Sequence, residues 1–221
     1  MRGIDWHMRK SLLLLMVLTM TPFSSYPKKK TAPDESQVAT DERGGSYSIW
    51  LMPEGDVFDK FSKLIIKISD EYNSPKYQPH VTLLGGLVGF TKEEVISKAT
   101  ELADSIEPFT ITLTEVTYPT SYPNDHEAYY RSLYILAERT EPLMKANELA
   151  RKMFGREGDL PFNPHLSIVY GPFPAETKEG IISKVGGEFN VSFEVNSIYL
   201  WSDNGLPHEW KLIKKIPLAR N

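Results

Sequence analysis

Two of the five histidines in this 221-residue chain sit in matching surroundings. Tyr77-Gln78-Pro79-His80-Val81-Thr82-Leu83-Leu84 and Phe162-Asn163-Pro164-His165-Leu166-Ser167-Ile168-Val169 share one pattern: aromatic, amide, proline, histidine, aliphatic, hydroxyl, aliphatic, aliphatic. On a strand, residues two apart point the same way. His80 therefore sides with Thr82 and His165 with Ser167, while Val81, Leu83, Leu166 and Ile168 face a core. Brought together, the motifs make a cleft with two imidazoles and two hydroxyls, and no carboxylate belongs to either. With unperturbed pKa values near 6.5, one imidazole can be neutral while the other is protonated. The neutral ring takes a proton from water and the charged ring gives one to a leaving oxygen. The hydroxyls can donate to non-bridging phosphate oxygens, where negative charge sits during displacement. That set suits phosphodiester hydrolysis without a metal. Two histidines lacking a third ligand at useful spacing leave a metal's coordination incomplete, so no metal or cofactor is expected.

The elements that must carry these residues are legible as shifts of hydrophobic period. Tyr47 to Met52 alternates as a strand and stops at Pro53. Val57, Phe61, Leu64, Ile65 and Ile68 recur at helical spacing over 56–72, with Asp56 as the expected N-cap. His80 to Leu87 is a strand, and Thr91-Lys92-Glu93-Glu94 has the capping-box form that opens a helix to about Ile106. Strands are expected at 109–118, 129–137, 164–170, 189–201 and 209–216, with helices at 140–154, ended by Gly155, and 177–185. The class is α+β with antiparallel pairing, in two similar halves that each contribute one motif.

The first 45 residues differ. Met8-Arg9-Lys10 followed by the apolar run Leu12–Met20 has the form of a secretory signal or N-terminal anchor over 1–25, and export to the periplasm or medium is the expectation, with a cytoplasmic chain as the alternative. The apolar run is shorter than the ~20 residues of a stable membrane span. Residues 26–45, with Lys28-Lys29-Lys30 and two prolines, read as a linker. The folded domain is expected over 46–218. The whole chain carries 25 basic and 29 acidic residues, net -4. Residues 1–40 hold six of the basic and three of the acidic ones, so the remainder is at -7. That charge argues against a surface for long nucleic acid. The absence of cysteine excludes a disulfide framework and a thiol nucleophile.

Pro79-His80-Val81-Thr82-Leu83 together with Pro164-His165-Leu166-Ser167-Ile168-Val169-Tyr170-Gly171 resembles the two-histidine (2H) phosphoesterase superfamily, and within it the cyclic phosphodiesterase group of plants and yeast. The resemblance runs from about Tyr47 to about Pro217 and includes Tyr47-Ser48-Ile49-Trp50 and Tyr129-Tyr130. It implies a bilobal, pseudo-symmetric fold of two antiparallel sheets flanked by helices, with the motifs lining a central groove. It implies opening of nucleoside 2′,3′-cyclic phosphates to 2′-phosphates and of ADP-ribose 1″,2″-cyclic phosphate to the 1″-phosphate. By position, His80 and His165 would be the acid–base pair, Thr82, Ser167 and Tyr170 would hold phosphate, and Trp50 would be an aromatic wall or else a core residue. The expected partner is a small cyclic-phosphate nucleotide, met by a monomer. Competing readings are an RNA-end-processing phosphodiesterase and a non-catalytic nucleotide-binding module. His126 and His208 read as loop or turn histidines, and Arg131 as facing either cleft or solvent.

Overall fold

The structure is a computed structural model that describes residues 45–121 and 124–219. The expected leader over 1–25 and the linker, apart from Gly45, lie outside the described residues. The chain runs β1 (Tyr47–Leu51), α1 (Gly55–Tyr72), β2 (Val81–Leu87), α2 (Lys92–Asp104), β3 (Phe109–Thr117), α3 (Asp125–Tyr130), β4 (Leu133–Ala137), α4 (Glu141–Phe154), β5 (His165–Val169), α5 (Ala175–Val185), β6 (Glu188–Val195), β7 (Ser197–Ser202) and β8 (Lys211–Pro217). Among the described residues no helix is long and apolar enough to cross a membrane.

The strands form one sheet in the order β6-β3-β4-β5-β2-β1-β7-β8, and every neighbouring pair is antiparallel. The two expected sheets are its four-stranded halves. They join between β2 and β5 through the pair Val81↔Leu166. β1-α1-β2 and β4-α4-β5 are equivalent strand–helix–strand units, so the central order 4-5-2-1 carries the pseudo-symmetry foreseen from the motifs.

The sheet must curl. β6 and β7 stand first and seventh in the order, yet Asn196 alone separates them. Six strand spacings of about 4.8 Å would set them roughly 29 Å apart in a flat sheet. The chain from Val195 to Ser197 reaches only about 7 Å. The apolar run 189–201, expected as one strand, therefore breaks at Asn196, its first part pairing with β3 and its second with β1 and β8.

One face of the sheet is apolar. Ile49 and Leu51 of β1, Val81 and Leu83 of β2, Ile135 of β4 and Leu166 and Ile168 of β5 are all buried there. The covering helices exchange sides: α1, which follows β1, packs on β5, and α4, which follows β4, packs on β2. α2 lies against β7 and β8. Its expected capping box is present, with Glu94 N–H donating to Thr91 Oγ1 at 3.2 Å and Thr91 N–H donating to Glu94 Oε2 at 2.7 Å.

Three local expectations are corrected. One is the broken strand above. Another is the N-cap of α1, which is Glu54 and not Asp56; its carboxylate accepts from Tyr199 and Lys215 instead of capping the helix. The third concerns Tyr129 and Tyr130, which close the short helix α3 and are not in a strand. Ala128 N–H bonds to Asn124 O as in a helix, and the Tyr129 carbonyl is taken by Gly171 N–H at 2.9 Å, so neither tyrosine joins a sheet ladder. Arg131 lies in the turn that follows, and His126 is an exposed residue of the same helix. These long-range carbonyl bonds outweigh the strand preference of paired tyrosines.

Asn147 shows how helix and sheet are locked. It is 4% exposed in α4, and its Nδ2 donates to the Leu83 carbonyl of β2 at 2.7 Å. Asn147→Ala strips a buried carbonyl of its partner, and chemical denaturation is expected to show a loss of about 1–3 kcal/mol. An unchanged midpoint would mean that this bond does not hold the helix in place.

Candidate active site

The pair Val81↔Leu166 fixes what its neighbours do. Continuing that antiparallel register by one residue each way sets His80 opposite Ser167 and Thr82 opposite His165. All four side chains leave the sheet on the face opposite to the core. The histidines are thus diagonal neighbours, roughly 7–8 Å apart at the backbone, with the two hydroxyls on the other diagonal. The two motifs meet as the sequence pattern requires.

Each imidazole is anchored identically. His80 Nδ1 lies 2.7 Å from the Gln78 carbonyl oxygen, and His165 Nδ1 lies 2.7 Å from the Asn163 carbonyl oxygen. A carbonyl can only accept, so Nδ1 carries the hydrogen in both rings. Nε2 lies on the other side of the ring from that bond, bearing a lone pair in the neutral ring and a proton in the charged one. The amide position shared by the two motifs matters for its backbone: it bends back two residues before each histidine to supply this acceptor.

Burial governs the protonation of the pair. His80 is 7% exposed and His165 half-buried. Desolvation pulls the His80 pKa down to about 4, the bond to Gln78 opposes this, and a charge on His165 adds to the fall. His165 is also drawn to about 4 by desolvation, opposed by the Asn163 bond and reinforced by the Arg131 guanidinium. Arg131, at the end of α3, is thereby brought within electrostatic reach of the pair.

Thr82 is half-buried, and Ser167 is 6% exposed with its hydroxyl donating to the Tyr130 carbonyl at 3.2 Å. Tyr170 directly follows β5. Its phenol is buried and its pKa is driven well up by desolvation, against a hydrogen bond with Ser167 that pulls it down, so it stays a neutral donor. Tyr170 stacks on Tyr77 with centroids 3.8 Å apart, and its carbonyl accepts from Ser74 Oγ at 2.6 Å. The chain then turns at Gly171, where φ is 142° and an added Cβ would lie 2.8 Å from the Phe173 ring, so a side chain there fits neither the backbone nor the space.

Trp50 is placed differently from an open aromatic wall. It pairs with Thr82 across β1 and β2, which puts it on the motif face, but it is 2% exposed. Its indole stacks on His80, centroids 3.6 Å apart and planes within 7°, and on Trp201 at 4.5 Å, with the edge of Trp210 at 5.6 Å. Tyr77, Tyr134, Trp201 and Trp210 are neighbours of the site that the sequence pattern did not assign to it. Tyr77 had a signal in the aromatic that precedes both motifs, and Trp201 in its i, i+2 relation to Tyr199 beside β1. Trp210, half-buried and also near Tyr130 and Tyr170, had none.

These values set a pH dependence. The unfolded chain protonates its histidines near pH 6.5, whereas the folded pair refuses protons until about pH 4. Between those limits the unfolded state binds more protons, so stability is complete above the window and declines as pH falls through it. Histidine NMR should give both midpoints near 4, and denaturation midpoints should fall with acidification less steeply in His80→Gln/His165→Gln. Midpoints near 6.5 would show that both rings are open to water.

Residues 59–206 match the profile of the 2′-5′ RNA ligase superfamily. The chain is 25% identical over 158 residues to a protein named cyclic phosphodiesterase from Arabidopsis thaliana, covering 70% of this chain and 83% of that one. The crystal structure of TT0787 from Thermus thermophilus superposes with a TM-score of 0.59 at 19% identity, covering 78% of this chain and 97% of the other. That of E. coli LigT complexed with 3′-AMP superposes with a TM-score of 0.53 at 16% identity, covering 80% and 98%. With the profile spanning most of the described chain and the fold shared, this protein belongs to the 2′-5′ RNA ligase superfamily, the two-histidine phosphoesterases.

Proposed function

We propose that this protein is a metal-independent cyclic phosphodiesterase that opens nucleoside 2′,3′-cyclic phosphates to 2′-phosphates, and ADP-ribose 1″,2″-cyclic phosphate to the 1″-phosphate, by paired histidine acid–base catalysis. The observation that carries this reading is the diagonal pair of imidazoles, each with Nδ1 tied to a carbonyl two residues back and Nε2 left for the reaction. The likeness to a cyclic phosphodiesterase supports the substrate class, and a LigT crystal structure holding 3′-AMP supports a mononucleotide as cargo of this fold.

Water attacks phosphorus while one Nε2 lone pair takes its proton. The P–O bond to one ribose oxygen breaks as the other Nε2 passes its proton to that oxygen. A phosphate monoester and a free hydroxyl result, with the two rings exchanged in protonation until solvent resets them. Thr82 and Tyr170 hold the non-bridging oxygens through O–H donors, joined by Ser167 once its hydroxyl turns from the Tyr130 carbonyl, and these donors favour the charge that builds there.

The low pKa values of the free pair give the substrate a second role. A phosphodiester anion between the rings favours an imidazolium that burial alone forbids. The kcat/KM profile follows the free protein and the kcat profile the complex, so the kcat optimum should lie at higher pH than the kcat/KM optimum. Coincident optima near neutrality would contradict this coupling.

The direct test is hydrolysis of a 2′,3′-cyclic mononucleotide in EDTA, with product position read by phosphorus NMR. His80→Ala and His165→Ala are each expected to lower kcat by about 10²–10⁴-fold, with circular dichroism unchanged. Full activity in either variant would remove that ring from the mechanism. Tyr170→Phe should lower kcat as well as kcat/KM, since it deletes one donor to the developing charge and keeps the stack on Tyr77.

A further inference from the structure

The two histidines share an anchor but not a neighbour. His165 meets Tyr134 obliquely, with centroids 4.5 Å apart and planes at 42°. His80 lies flat on Trp50, which is itself wedged against Trp201 and Trp210 and backed by Tyr199 across β7. Two restraints therefore act on His80. The bond from Nδ1 to Gln78 O fixes one point of the ring, and the indole face fixes its plane, so the direction of Nε2 is fully determined.

We propose that Trp50 is a positioning residue for His80, holding the plane of the ring and stabilising its protonated form through the electron-rich indole face. An imidazolium over such a face is attracted by the ring quadrupole. A buried histidine has particular need of that attraction: whichever way the proton travels in turnover, His80 must pass through its cation. Ionisable groups that face it among the described residues include the His165 imidazole from β5 and the Tyr77 phenol from its own segment, and the Arg131 charge acts on His165. Neither a neighbouring imidazolium nor a guanidinium can stabilise a second cation, and the Tyr77 phenol, its pKa driven well up by burial, stays neutral. The indole is the cation-stabilising face against this ring. The consequence for turnover rests on the reading of His80 as an acid–base group, but the contact and its electrostatic sign do not.

The test separates the two. The full-length protein is prepared with ordinary and with fluorinated tryptophan, which keeps the indole's size and burial while draining its face of electron density. The His80 midpoint is followed by NMR and indole emission is followed across the same titration. Fluorination is expected to lower the His80 midpoint by about half a unit to one unit and to leave His165 in place. In the ordinary protein, emission should fall with the His80 midpoint as the imidazolium quenches its stacked indole. That step should vanish in His80→Gln and persist in His165→Gln. A His80 midpoint unmoved by fluorination, or a quench that survives His80→Gln, overturns the proposal. These arms need no substrate, so they stand even if no cyclic phosphate is turned over. With the cyclic nucleotide, Trp50→Leu should lower kcat at least tenfold with KM within about twofold, and Trp50→Phe should restore most of kcat; a rise in KM alone would make Trp50 a substrate contact instead.

Discussion

The whole site hangs on one cross-strand pair. Val81 and Leu166, each fully buried, are the residues through which the two halves of the sheet join. Their register decides that His80, Thr82, His165 and Ser167 emerge together on the open face. A slip of either strand by one residue would drive its imidazole into the core and turn its aliphatic outward, parting the two histidines. So short a ladder cannot hold its own register. The exchanged helices do it, α1 bearing on β5 and α4 on β2, the latter pinned by Asn147 to a carbonyl of β2 itself. The hydrophobic effect supplies the force and the crossed arrangement supplies the aim.

A second constraint runs through the electrostatics. Many histidines that trade protons are oriented by a carboxylate, whose charge favours the imidazolium at all times. Here the orienting acceptors are neutral backbone carbonyls. They choose the tautomer and the direction of Nε2 without adding a charge, so burial prevails and both rings are neutral in the free protein at neutral pH. In a folded domain whose net charge is strongly acidic, this leaves the nearby Arg131 as a local source of asymmetry between the rings.

Much of this was legible because it obeys short-range rules. The duplicated proline–histidine–aliphatic–hydroxyl strings announced two halves, and the i, i+2 rule already set each histidine beside its hydroxyl. The capping box at Thr91 and the glycine stop after Phe154 were read correctly for the same reason. What failed was decided at long range. The 189–201 run is rich in apolar residues on both sides of Asn196, and nothing local says that its two ends serve opposite halves of a curled sheet. Tyr129 and Tyr130 have strand-forming side chains, but their carbonyls are claimed by residues near the second motif. Trp50 stands on the expected face; a sequence cannot say that the space in front of it is filled by a histidine.

The exchange of helices between halves also has a bearing on how the chain folds. Neither strand–helix–strand unit covers its own motif strand, since the helix over β2 comes from the second unit and the helix over β5 from the first. Half of this protein expressed alone would expose a hydrophobic surface whose natural complement is the other half. The pieces are interdependent rather than modular, and cooperative all-or-none unfolding follows. Closing contacts between motifs so far apart in sequence is slow work for a chain, so the histidine pair comes together only with the complete native state.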